Sequence, residues 1–143
     1  MPLRILLADD QQMIREALAM ILDIEVDLEV VAQVGRGDEV LPAVRETRPD
    51  VALLDIEMPG ATGIEAAAEL ARSGLRSQTG APVRSLILTT FRRPGYLRRA
   101  LEAGASGFVV KDGTASQLAQ AVRRTAAGLR VVDSVLAEEA KWQ

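Results

Sequence analysis

Residues 3–10 read Leu-Arg-Ile-Leu-Leu-Ala-Asp-Asp, a short apolar run that breaks off on two carboxylates. Behind it Ile14, Leu18, Ile21 and Leu22 recur at the spacing of a helix with one buried face. A strand that ends in charge and passes into an amphipathic helix is the opening of a βαβ unit. Outward from there the cycle returns four more times. Strands are expected at 3–8, 28–34, 50–55, 83–90 and 106–110, most of them nearly continuous apolar runs, as strands covered on both faces should be. The first helix follows Asp10 and the second runs over 38–47. The third opens on Thr62-Gly63-Ile64-Glu65, a capping box, and stops at Gly74. The fourth starts at Pro94 and stops at Gly104; the fifth opens on a second capping box, Thr114-Ala115-Ser116-Gln117, and stops before Gly128. The fold class is therefore α/β: a doubly wound five-stranded parallel sheet with five helices.

Two stretches stand outside the cycle. Residues 76–82, rich in Ser, Gln, Thr, Gly and Pro, read as an extended surface loop. Residues 129–143 read as a linker or the start of a further helix, so the domain is expected to occupy 1–128. At ~150 residues per domain, 143 residues leave room for one.

Composition narrows the chemistry. The chain is 48% hydrophobic and 26% charged, and its longest apolar run, Ala17 to Leu22, is far short of the ~18 residues that suggest a membrane span. Without a signal-peptide pattern at the start, a cytoplasmic location is expected. There is no cysteine and no histidine, which removes thiolate chemistry, the commonest general base and the commonest zinc ligand. A net charge of −3 argues against a dedicated nucleic-acid binder. Only two of the seventeen cationic side chains are lysines, Lys111 and Lys141.

Open parallel sheets hold ligands at the carboxyl ends of their strands, beside the point where strand order reverses. Here those ends carry Asp9 and Asp10, Asp55, Thr89 with Thr90, and Lys111. Carboxylates ~4 Å apart repel by ~4 kcal/mol per pair at an effective dielectric of 20, so three of them in one cleft call for a cation. An all-oxygen donor set favours a hard ion, and few protein ligands suit Mg²⁺ shared with a phosphoryl oxygen. With its charge offset, Asp55 is competent to attack phosphorus and form an aspartyl phosphate, while Lys111 and Thr89 meet the phosphoryl oxygens. Taken singly, Asp10 could be a helix cap, Lys111 a solvated strand end, Thr89 a strand residue and Phe108 core. Their joint placement favours a site.

These residues and their neighbours resemble the receiver domain of two-component response regulators. The resemblance rests on Leu-Leu-Ala-Asp-Asp at 6–10, Leu-Leu-Asp-Ile-Glu-Met-Pro-Gly at 53–60, Leu-Thr-Thr-Phe at 88–91 and Gly-Ala-Ser-Gly-Phe-Val-Val-Lys-Asp at 104–112, in order along residues 3–128. The Val-Val-Lys-Asp ending and the run Arg92-Arg93-Pro94-Gly95-Tyr96 look most like the NarL/FixJ group, in particular its lipid-desaturase regulators. The resemblance implies a flavodoxin-like strand order 2-1-3-4-5. It implies Asp55 as phosphoacceptor, Asp10 as a direct Mg²⁺ ligand, Asp9 as a ligand through water, and the Glu57 backbone carbonyl completing the protein's share. Lys111 would pair with the phosphoryl group, Thr89 would move to hydrogen-bond it, and Phe108 would fill the space vacated. Glu57 and Phe91 occupy positions that tune phosphoryl lifetime in the family. Asp112 departs from the proline that often follows the lysine, and the 76–82 loop is longer than usual.

The function so implied is a phosphorylation-controlled switch, not an enzyme beyond slow self-phosphorylation and autodephosphorylation. Its phosphoryl group would come from a sensor histidine kinase, its surface would change to favour a homodimer, and DNA would be reached only through an output domain after residue 143. The alternative is a receiver-like interaction module not controlled by phosphorylation. A flavodoxin-like cofactor binder needs a phosphate-cradling loop after strand one, and Asp10-Gln11-Gln12 supplies neither glycine nor a cation. A metal-dependent aspartyl phosphohydrolase needs a D-x-D motif at that place, which is also lacking.

Overall fold

The computed structural model describes residues 2–89, 95–111 and 113–132. Strands β1 (Leu3–Ala8), β2 (Leu28–Val34), β3 (Val51–Asp55), β4 (Arg84–Thr89), β5 (Gly107–Val110) and β6 (Val131–Val132) form one parallel sheet in the order β2-β1-β3-β4-β5-β6. Helices α1 (Gln12–Asp23), α2 (Val40–Thr47), α3 (Gly63–Ser73), α4 (Tyr96–Glu102) and α5 (Ala115–Ala126) connect them. The strand order reverses between β1 and β3.

The side-chain period of two along each strand divides the interior into two layers. Ile5, Leu7, Val51, Leu53, Leu86 and Leu88 face α1 and α5, where Ala19, Leu22, Ala119 and Val122 are buried. Leu6, Ala8, Ala52, Leu54, Ile87 and Phe108 face the other way, against Val40 and Val44 of α2, Ala66, Ala67 and Leu70 of α3, and Leu97 and Ala100 of α4. Among the described residues nothing covers the outer side of α1 in this way. Met13, Met20 and Ile24 are 83%, 69% and 76% exposed, and with Ala17 they line one face at helical spacing.

The expected five-stranded sheet is corrected to six strands, and the added strand falls in the stretch expected to be a linker or helix. Gly128, at φ 85°, turns the chain after α5, the Val131 amide donates to the Ser106 carbonyl, and Gly107 and Phe108 pair with Val131 and Val132. A Cβ on Gly107 would lie 2.3 Å from the Val131 carbonyl oxygen, so glycine is what lets the two backbones approach. Two valines are too short a run for periodicity to reveal.

Both capping boxes form as the sequence suggests, with reciprocal bonds between Thr62 and Glu65 and between Thr114 and Gln117. The second helix differs at its start: Gly37–Glu39 make a 3-10 turn and the α-helix begins at Val40. Residues 76–82 form a surface loop as expected, and an antiparallel bridge between Arg76 and Pro82 closes it. The Ser77 amide donates to the Ala81 carbonyl, the Gly80 amide to the Ser77 carbonyl, and the Arg48 guanidinium donates to the carbonyls of Arg76 and Ser77. Pro94, expected to open the fourth helix, lies outside the described residues with Thr90, Phe91, Arg92, Arg93, Asp112 and residues 133–143; the described helix opens at Tyr96.

Candidate functional site

β1 and β3 are neighbours in register, Ala8 beside Leu54, so their next residues, Asp9 and Asp55, emerge side by side at the reversal point. Asp10 follows Asp9 into the turn before α1. Carboxylate oxygens of Asp9, Asp10 and Asp55 lie within 4.8 Å of one another. Asp9 is 1% exposed and Asp55 8%, whereas Asp10 is open to solvent. From the far side β5 delivers Lys111, whose backbone amide donates to the Thr89 carbonyl at the end of β4. The Lys111 Nζ donates to Asp9 Oδ2 at 2.5 Å and stands 3.4 Å from Asp55 Oδ1. The expected Asp9, Asp10, Asp55 and Lys111 are thus one cluster.

Asp9 is held from three directions. Lys111 takes one carboxylate oxygen, the Gln11 amide donates to the other at 3.0 Å, and Arg15 Nη1 donates to the Asp9 backbone carbonyl at 2.6 Å. Burial pushes the Asp55 carboxyl up to about 6, against the lowering effect of the Lys111 ammonium, and Asp9 and Asp10 push it the same way as burial. An ionised carboxylate is therefore disfavoured at Asp55, and a cation among the three aspartates would relieve it. The donor set fits Mg²⁺: oxygens alone, two of the three groups sheltered, one open to water. Gly63, at the start of α3, packs against this strand end so closely that a Cβ would lie 2.1 Å from the Asp55 carbonyl oxygen.

Thr89 is wholly buried at the strand end beside the cluster. Phe108 is 1% exposed and lies in the core layer shared with Leu97 and Ala100 of α4. Glu57 stands two residues beyond Asp55; its carboxylate is turned to α4 and accepts a hydrogen bond from Tyr96 Oη at 2.8 Å. Arg15 and Tyr96 were missed as contributors, because the first acts through a backbone carbonyl and the second across 39 positions. A groove of about 450 Å³ between α1 and α5 touches the cluster only at Lys111. The acidic site itself is a rim of strand ends, suited to a small group and not to an enclosed substrate.

A doubly wound sheet with a lysine-bridged acidic cluster at its reversal point defines a switch domain of the receiver class. Residues 5–123 match the response regulator receiver domain, and the chain belongs to that family, in the NarL/LuxR group of two-component response regulators. It is 43% identical over 129 residues to the uncharacterized transcriptional regulatory protein YvfU of Bacillus subtilis, covering 90% of this chain and 62% of that protein. It is 42% identical over 135 residues to the transcriptional regulatory protein DesR of the same organism, covering 94% and 64%. Among solved structures, a LuxR-family two-component response regulator from Aurantimonas sp. SI85-9A1 superposes with a TM-score of 0.87 at 32% identity, covering 99% of this chain and 97% of that one. The chain spans a little under two thirds of the length of the two Bacillus relatives. Among the described residues no helix is long and apolar enough to cross a membrane.

Proposed function

We propose that the chain accepts a phosphoryl group on Asp55 from a sensor histidine kinase, in a Mg²⁺-dependent reaction. The observation that carries this is the meeting of Asp9, Asp10, Asp55 and Lys111 within hydrogen-bonding and ion-pairing reach at one rim. Asp9, Asp10, Asp55 and the Glu57 backbone carbonyl would hold the ion. When bound, Mg²⁺ supplies the positive charge that lets an anionic nucleophile approach an anionic phosphoryl group.

An Asp55 carboxylate oxygen attacks phosphorus, the P–N bond to the donor imidazole breaks, and an acyl phosphate forms. These residues contain no histidine, so the donor phosphohistidine lies outside them. Lys111, already between Asp9 and Asp55, turns its ammonium to a phosphoryl oxygen; Thr89 donates its hydroxyl to another, and Phe108 occupies the space Thr89 leaves. This is a switch with at most slow self-phosphorylation from small donors and slow autodephosphorylation. The receiver takes in β6 and so extends past residue 128 to Val132, and an output domain beyond it would bind DNA and regulate transcription in the cytoplasm. Phosphorylation favours a homodimer, and the bare Met13, Met20 and Ile24 face of α1 supports such an interface. No observation favours the unphosphorylated interaction module, since the acidic set is intact.

The test is to incubate the chain with Mg²⁺ and acetyl phosphate and measure mass. One acid- and base-labile phosphoryl group is expected, and equal incorporation into Asp55→Asn would falsify the assignment.

A further inference from the structure

Helix α4 is seven residues long and is entered from Gly95 at φ 85°. Two turns are too few to be stable by their own hydrogen bonds, so the place of α4 is set by what its side chains touch. Leu97 and Ala100 are buried in the core layer that holds Phe108. A further contact leads to the surface of the acceptor site. Tyr96, the first residue of the helix, donates from Oη to Glu57 Oε1 at 2.8 Å, and the Arg99 guanidinium lies 4.8 Å from the centre of the tyrosine ring. A hydroxyl bound to a carboxylate is a charge-assisted bond, stronger than a neutral one. The ring is held at one end by Glu57 and on one face by Arg99, so it works as a strut and not as a free surface side chain.

Glu57 sits in the loop that follows Asp55, between β3 and α3. We propose that Tyr96 is a positioning residue that couples this loop to α4 over the outside of the domain, separately from Thr89 and Phe108 in the interior. The coupling rests on the reading of Asp55 as phosphoacceptor. Negative charge added at Asp55 repels the Glu57 carboxylate two residues away, and any displacement of that carboxylate is passed through the tyrosine hydroxyl to the first turn of α4. The surface of α4 then reports the state of Asp55 to whatever partner reads it.

The chain contains a single tyrosine, so a fluorotyrosine label reports on position 96 alone. With Mg²⁺ and beryllofluoride added to the full chain, the fluorine resonance is expected to shift. Tyr96→Phe is expected to keep the backbone-amide changes around Asp55 while those along 97–102 fall by about half or more. Glu57→Gln keeps an acceptor oxygen but loses the charge that is repelled, and Glu57→Ala keeps neither, so both are expected to lose most of the α4 response. Amide changes along α4 in Tyr96→Phe equal to those of the unaltered chain would overturn the coupling and leave the Asp55 reading standing. No amide change around Asp55 in the unaltered chain would instead overturn that reading, and the coupling with it.

Discussion

At Asp55 the decisive quantity is the cost of ionising a sheltered carboxyl next to two others. Its pKa is pushed up from 3.8 to about 6, so between those values the folded chain binds more protons than the unfolded chain. Without metal, stability therefore falls as pH rises from about 4 to 6 and levels off above. Asp55→Asn removes the ionisation, and is expected to be more stable than the unaltered chain by about 1–3 kcal/mol at pH 7 and nearly equal to it at pH 4, read by urea unfolding in chelator. A variant less stable at pH 7 would contradict the electrostatic account. Protons and Mg²⁺ compete for the same oxygen, so metal affinity should decline by about tenfold per pH unit below 6, measured calorimetrically. The acidic residues were legible in the sequence because each ends an apolar strand, and the sheet rule brings strand ends together. Arg15 was not, since an arginine in the second turn of an amphipathic helix carries no sign that it will reach back to the Asp9 carbonyl.

For the secondary-structure elements, what was readable is what local chemistry dictates. Thr62 with Glu65 and Thr114 with Gln117 announce their helix starts because the capping bonds lie within four residues. The closed 76–82 turn and β6 were not readable, because both depend on distant partners: Arg48 for the first, Ser106 and Gly107 for the second. The role of Gly107 gives a direct test. Gly107→Ala places a Cβ against the Val131 carbonyl and 3.0 Å from Leu86 Cδ1, so it should unpair β6 and cost about 1–3 kcal/mol. The readouts are faster amide exchange at Val131 and a lower urea midpoint; unchanged exchange would mean that β6 tolerates the methyl group.

Across the whole molecule, the uneven cover of the two faces matters most. The sheet is shielded on both sides, yet α1 leaves two methionines and an isoleucine in solvent. Burying such side chains is worth about 1.5–3 kcal/mol each, enough to favour self-association once a second face is aligned with them. Sedimentation with Mg²⁺ and beryllofluoride is expected to show a dimer, and Met20→Glu to remain monomeric under the same conditions. A dimer of equal strength in that variant would move the interface elsewhere. The edge strand carries a different implication. Because Val132 is paired with Phe108, the last described residue is laced to the strand that leads into Lys111. A rearrangement of that aromatic ring would tug on Val132, and so on whatever the polypeptide carries beyond it.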